Sequence, residues 1–268
     1  MTMGSLELGI LFPAFLAGML VLATHVPLGQ QVLNRGIVFI DLAIAQVAGL
    51  GVTIAGAYVA EPEGWRVQAA AVVAALVGAL MLTWTEKKWP EVQEALIGVL
   101  FVVAACVELL LLANNPRGGE HLKDLLVGQI LWVLPANLIP VAILYAVLLV
   151  VWFGFRQRIG QVGFYILFAL MVTQSVQLVG IYLVFASLIV PALASKRYAP
   201  QYRLFVGYVV GLVGYITGLV ASSVFDLPTG AVIVVTLLLT FIVAVMVSLN
   251  VPVGWRATVQ EERKPAHA

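Results

Sequence analysis

The chain has 268 residues, 62% of them apolar and only 10% charged, with a formal net charge of +1 and a mean hydropathy of +1.07. A water-soluble domain carries roughly 45–50% apolar and about 25% charged residues, so this chain cannot clothe a water-facing surface and must present apolar side chains to lipid. Its single cysteine, Cys106, excludes an internal disulfide and a thiolate metal cluster, and so small a net charge gives no ground for a nucleic-acid partner.

Backbone groups surrounded by hydrocarbon must bond to each other, so the long apolar stretches are helices, each crossing taking about 20 residues. In chain order such stretches lie near 8–26, 37–60, 67–85, 93–113 and 138–155. The first is preceded by neither a basic region nor a cleavage signal, so it is expected to be retained as a helix. Within the longest outer connection, residues 120–126 read as an amphipathic interfacial helix. The stretch 162–194 is too long for one crossing and short for two. Polar Gln174, Ser175 and Gln177, followed by Gly180, mark a break in it, giving two short helices. Two further spans, near 205–225 and 230–249, bring the expected count to about nine. The predicted fold class is therefore all-α, a polytopic integral membrane protein. Residues 1–250 are expected to form a single transmembrane domain and 251–268 a cytoplasmic C-terminal tail.

Lysine and arginine set the expected orientation. With the N-terminus outside and the C-terminus inside, the inner loops and tail collect Arg35, Lys87, Lys88, Arg156, Arg158, Lys196, Arg197, Arg203, Arg256, Arg263 and Lys264, against Arg66, Arg117 and Lys123 outside. Counting 162–194 as one span would destroy that asymmetry.

The sequence lacks G-x-x-x-x-G-K-[ST], so it cannot cradle nucleotide phosphates itself. It also lacks H-E-x-x-H, G-x-S-x-G and any His/Cys cluster of zinc-enzyme spacing. His25, His121 and His267 are far apart. The chain is not expected to be an enzyme or to hold a cofactor. Any energy from ATP must come from another polypeptide.

An ionisable group at membrane depth is costly and so a functional candidate. Asp41 lies near the inner end of the second helix, as a cation ligand or pore-facing carboxylate, or as an N-terminal helix acid facing water. Gln46, deeper in that helix, can coordinate a cation or bond to a neighbouring helix. Five residues apart, the two do not share a face. Glu108, in the fourth helix, demands a partner, a proton or a cation, or else snorkels to the outer interface. Cys106, two residues earlier, points elsewhere. Gln174 and Gln177 share a helical face and either line a polar path or satisfy backbone groups exposed by the break. His25, at the inner end of the first helix, and His121, in the outer loop, read as interface residues.

Five stretches in order resemble the permeases of bacterial zinc and manganese ABC importers, the ABC-3 family. Pro27-Leu28-Gly29, Asn34-Arg35-Gly36 and Asp41-Leu42-Ala43-Ile44-Ala45-Gln46 resemble that family's P-L-G, basic residue and G-D-x-x-A-H-A run. Glu94 to Phe101 is similar to its acid-x-x-I-G-I-x-F segment, and Asp124 to Leu131 to its D-L-L-x-x-x-x-G-D-I-L. Val179 to Val184 with Leu188 to Ala192 matches V-G-x-L-L-V and L-I-I-P-A, and Asp226 to Gly230 matches D-x-P-x-G.

The resemblance implies a homodimeric permease in the bacterial cytoplasmic membrane, in contact with lipid. It also implies a pair of ATP-binding ABC subunits inside and an extracytoplasmic metal-binding protein outside. The cargo would be a divalent metal ion, zinc or manganese, with iron as a further candidate. The family's path acid and histidine fall on the second helix. Either Asp41 is the equivalent acid, or Gln46 is the equivalent of the histidine with the acid shifted, because the spacing is one residue longer. Imidazole favours zinc, whereas carboxylate and amide oxygens suit manganese. Asp41, Gln46 and Glu108 are thus the candidate metal-path residues. The family's longer cytoplasmic docking segment shrinks here to residues 155–161, so the loop 195–203 takes more of the ATPase contact, with Arg156, Arg158, Lys196, Arg197 and Tyr198 as coupling candidates. The rival reading is a stand-alone secondary transporter driven by a proton or sodium gradient, with Asp41 and Glu108 as its proton relay.

Overall fold

The computed structural model describes residues 3–58, 64–113, 115, 118–155 and 158–248. Among these, ten α-helices follow one another: α1 Met3–Arg35, α2 Ile40–Tyr58, α3 Gly64–Lys88, α4 Gln93–Leu112, α5 Gly118–Val127, α6 Pro135–Phe155, α7 Gln161–Val179, α8 Ile181–Ser195, α9 Pro200–Phe225 and α10 Thr229–Ser248. Short 3-10 turns at Pro90–Val92 and Ile130–Trp132 lead into α4 and α6, and no strand occurs among the described residues. Seven helices are long and apolar enough to cross a membrane, and Ile40–Gly56 and Ile181–Ser195 add two shorter apolar ones. These nine coincide with the nine spans expected from hydropathy. The tenth, α5, is the amphipathic segment: Glu120, Lys123 and Asp124 are exposed while Leu122, Leu125 and Leu126 are half-buried.

The residues are distributed as lipid requires. Val99, Val102, Leu109 and Leu110 of α4 and Val235, Leu239, Val243 and Met246 of α10 are exposed, whereas Asp41, Gln46, Glu108, His25 and several Ser and Thr side chains are buried. Lipid tails reward an apolar exterior, so polar groups are held where protein surrounds them.

The chain divides into two compact units, interleaved in sequence. One comprises Met1–Gly36, Gln129–Ala142 and Tyr182–Ala268, the other Ile37–Gly128 and Ile143–Ile181. The tail at 251–268 lies outside the described residues. In the first unit α1 and α10 pack against α9, and small residues set the distance. A Cβ on Gly211 would meet the Leu22 side chain of α1, and one on Gly214 would meet Leu237 of α10. Close helix approach over small residues is how membrane helices gain packing energy without a hydrophobic drive. Polar bonds fix the register: Tyr208 Oη donates to the Ala23 carbonyl at 3.1 Å and Thr236 Oγ1 to the Gly214 carbonyl at 2.8 Å. In the second unit α2 packs against α3, α4 and α7, and α3 against α7.

Two boundaries differ from the sequence reading. The first helix does not stop near residue 26 but continues to Arg35, with Pro27 inside it. Proline normally breaks a helix by removing an N–H and crowding the preceding turn. Here Val26, Leu28 and Val32 are all buried, so tertiary packing outweighs the local preference. The break in 162–194 is where expected, but α7 runs unbroken through Gln174, Ser175 and Gln177 to Val179. Gly180 alone makes the break, with φ 82° and ψ 163°, a region open essentially to glycine. Its neighbour is Gly128, also left-handed at φ 72°. A Cβ on either would strike the backbone of the other segment.

Gly180→Ala is therefore expected to lower the thermal unfolding temperature of the detergent-purified protein. Backbone strain alone costs about 1–3 kcal/mol, and the collision with residues 127–128 adds to it. Gly154→Ala serves as control, because nothing lies within 4 Å of its added Cβ. Equal melting of the two variants would refute the assignment.

Candidate functional site

The second unit concentrates buried polar side chains on α2. Gln46, Gly49 and Thr53 are spaced three and four apart and so share one face of the helix. That face meets Glu108 of α4. Glu108 is fully buried, and Gln46 and Thr53 are 2% and 5% exposed. The Gln46 Nε2 donates to Glu108 Oε2, and Thr53 Oγ1 donates to Glu108 Oε1 at 2.8 Å. Both carboxylate oxygens are therefore met from a single helix, two turns apart along it. Gly49 lies between them without a side chain. A Cβ there would sit 3.7 and 3.9 Å from the two Glu108 oxygens and 3.8 Å from Leu125 Cδ1 of α5. The interfacial helix thus brings Leu125 beside Gly49.

Asp41 stands in the first turn of α2 and is fully buried. Neither of its oxygens has a hydrogen-bond partner. The expectation that it might be an N-terminal acid facing water is overturned, since no part of it reaches solvent. It is the one buried carboxylate among the described residues with neither oxygen hydrogen-bonded. Glu94, on α4, accepts the Phe39 N–H at 3.2 Å and so pins the start of α2.

The expected separation of Asp41 from Gln46 holds: only Gln46 bonds Glu108. The snorkelling alternative for Glu108 fails, because a fully buried side chain does not reach an interface. Cys106 is exposed and shares nothing with Glu108. The glutamines of α7 do not act together. Gln174 Oε1 accepts from Gln68 Nε2 at 2.7 Å, while Gln177 is exposed. His25 is not at a helix end but inside α1, fully buried, with Nδ1 2.9 Å from Thr24 Oγ1 and 3.0 Å from the Val21 carbonyl. The side chain of His121 lies outside the described residues. Thr53 was missed by the sequence reading, although its 46–49–53 spacing with Gln46 and Gly49 could have shown it. No group of three or more His, Cys, Asp or Glu able to hold a metal ion occurs among the described residues. What the α2–α4 arrangement offers chemically is one buried carboxylate, one amide and one hydroxyl.

Of the coupling candidates, Arg156 lies outside the described residues. Arg158, Lys196 and Arg197 are exposed. Tyr198 is turned inward: it is 6% exposed and its Oη donates to the Ala244 carbonyl of α10 at 3.1 Å. Its own carbonyl accepts from Arg203 Nε at 3.0 Å. Tyr198 thus anchors the turn before α9, and it is the Lys196 and Arg197 side chains that this turn leaves exposed.

The profile of the ABC 3 transport family matches residues 7–164 and 154–248. The high-affinity zinc uptake system membrane protein ZnuB of Haemophilus influenzae is 25% identical over 260 residues, covering 88% of this chain and 96% of that protein. The probable iron transport system membrane protein of the same organism is 25% identical over 196 residues, covering 65% of this chain and 69% of that protein. A solved structure, PsaBC from Streptococcus pneumoniae in complex with Fab, has the same fold, with a TM-score of 0.68 and 22% identity over 88% of this chain and 89% of that one.

The geometry around Glu108 carries a stability prediction. Glu108→Ala strands the donors of Gln46 and Thr53 and should cost about 1–3 kcal/mol for each buried group left unsatisfied. Adding Gln46→Leu and Thr53→Val to that variant should recover part of the loss, read as thermal unfolding in detergent. A triple variant less stable than Glu108→Ala alone would show that the three side chains do not form one cluster.

Proposed function

Because the chain belongs to the ABC 3 transport family, we propose that it is the permease subunit of an ABC importer that moves a divalent metal ion into the cytoplasm. It is a multi-pass protein of the inner membrane, and the family is one of transport subunits, not of catalysts. The observation that carries the reading is the extent of the family match, which runs from residue 7 to residue 248 and so takes in every candidate span. The named uptake of zinc by one relative and iron by another supports a metal as cargo. Zinc or manganese is the proposed ion, with iron as a further candidate. The metal is substrate, not a resident cofactor.

The import reading assigns roles to the buried polar residues. Asp41, Gln46 and Glu108 are the proposed path residues. Each removes a polar group from water at a depth where lipid offers no replacement, a cost that function explains more readily than stability. The proposed partners follow the family resemblance: an ATP-binding ABC subunit, an extracytoplasmic metal-binding protein, and a second copy of the permease. Exposed Lys196, Arg197 and Arg158 are the side chains available for docking the ATPase.

Deleting the chain should lower cellular zinc or manganese several-fold in metal-poor medium, measured by elemental mass spectrometry, and the full-length chain supplied in trans should restore it. Asp41→Asn keeps the shape and removes the charge, so it should reduce that rescue at unchanged membrane abundance. Removing the ATP-binding subunit should abolish uptake, whereas collapsing the proton gradient with ATP maintained should not. The opposite pattern of energy dependence would favour the secondary-transporter reading.

A further inference from the structure

The outer side of α3 ends in a cluster that the import reading does not use. Val73, Val77, Leu80 and Trp84 recur every three or four residues and are each more than half exposed, so they form one apolar stripe along the helix. Lys87 and Lys88 follow three and four residues after Trp84, on the same stripe and in the last turn of α3. At the opposite end stands Trp65, also exposed, with the Arg66 guanidinium carbon 5.5 Å from its ring centroid. Trp65 and Trp84 lie 19 residues apart on one unbroken helix, a span of about 28 Å at the helical rise. A bilayer's hydrocarbon core is roughly 30 Å thick. The two indoles therefore mark the two lipid–water boundaries, where amphipathic rings are favoured, and Lys88 sits at headgroup level.

Trp84 and Trp89 meet edge to face, with centroids 5.2 Å apart and planes at 87°. Lys88 Nζ lies 5.0 Å from the Trp84 centroid and 4.5 Å from that of Trp89, inside the roughly 6 Å reach of a cation–π contact. A lysine stem is flexible and its head ordinarily extends into water. Here two rings hold the ammonium beside the end of the apolar stripe. An aromatic pair of this kind also binds quaternary ammonium groups, but the chain's own ammonium fills it, so the cluster attracts an anion. Lys87 adds a second positive charge, and neither lysine is paired with a carboxylate among the described residues. Glu86 does not neutralise them. It lies about 200° round the helix from Trp84, with its Oε2 buried. The indole N–H groups of Trp84 and Trp89 are further donors. A phospholipid of net negative charge matches both halves of this surface, hydrocarbon on the stripe and oxyanion on the lysines. A soluble phosphate matches only the second.

We propose that Trp84, Lys87, Lys88 and Trp89 form a binding site for the phosphodiester of an anionic phospholipid whose acyl chain lies along the α3 stripe. In the expected orientation that lipid belongs to the cytoplasmic leaflet, where anionic headgroups attract juxtamembrane lysines. The helix it holds packs against α2 over small residues: a Cβ on Gly51 would meet the Ala70 carbonyl and the Ala74 side chain. Fixing the depth of α3 in the bilayer therefore fixes the depth of α2, which carries Asp41 and Gln46.

The test titrates the full-length chain in detergent, stripped of co-purified lipid, with phosphatidylglycerol or phosphatidylcholine of identical acyl chains. Bound lipid is read by native mass spectrometry. The wild-type chain should bind its first phosphatidylglycerol about tenfold more tightly than phosphatidylcholine, the scale set by two lysines at an anionic headgroup. Lys87→Gln with Lys88→Gln should remove that preference. Trp84→Leu with Trp89→Leu should weaken phosphatidylglycerol binding several-fold although both charges remain. Lys88→Arg should keep the preference, because a guanidinium also stacks on indole faces. Lys196→Gln with Arg197→Gln removes the same charge from another exposed pair and should leave the preference unchanged. Equal affinity of the wild-type chain for the two lipids, or an equal loss in the two charge-removing variants, would overturn the proposal. Displacement of the bound lipid by inorganic phosphate would assign the lysines to a soluble anion and overturn it as well.

Discussion

A carboxylate that has lost its water must find replacement donors within the protein, and in hydrocarbon no solvent can supply the difference. On the α2–α4 pair Asp41 leaves that need unmet on both oxygens, whereas Glu108 meets it in full. Meeting both of its oxygens requires α2 to present a donor at 46 and another at 53 on one face. Keeping the carboxylate accessible to that face requires the residue between them to be small. Leu125 of the interfacial helix lies beside that small residue. The register of α2 against α4 can thus be traced to one carboxyl group held out of water.

The backbone obeys the same rule by a different means. Membrane helices can be interrupted only where protein or local geometry recovers the freed groups. At Gly180 the N–H donates to the Val176 carbonyl at 2.8 Å, and at Gly128 the N–H donates to the Asp124 carbonyl at 2.9 Å. Each glycine therefore closes the helix before it and then departs in a direction closed to other residues. That the two lie against each other means that the end of the interfacial helix and the α7–α8 break are packed as one feature.

Much of this was legible in the sequence, and the reason is physical. Lipid permits few backbone solutions, so hydropathy alone located nine spans, and Gly180 with its polar neighbours located the break. Local rules misled where tertiary packing outweighed them. Pro27 suggested a helix end, yet the buried residues around it carry α1 on to Arg35. Gln174 and Gln177 suggested a shared polar stripe, yet only Gln174 finds a partner, Gln68 of α3. The site was half visible. Glu108, Asp41 and Gln46 stood out because polar groups are rare in apolar runs. Thr53 did not, since threonine is ordinary in membrane helices and its meaning comes from a residue 55 positions away. Tyr198 stood as a coupling candidate in a basic loop, but an aromatic ring at a helix junction can as easily turn inward, as it does toward Ala244.

The account rests on the claim that the buried oxygens of α2 and α4 receive the transported ion. Crystals of the full transporter soaked in manganese, with diffraction recorded on both sides of the manganese absorption edge, test this most directly. The account predicts an anomalous difference peak within coordination distance of Asp41, Gln46 or Glu108. A well-occupied manganese peak elsewhere in the membrane region, away from all three side chains, would contradict it.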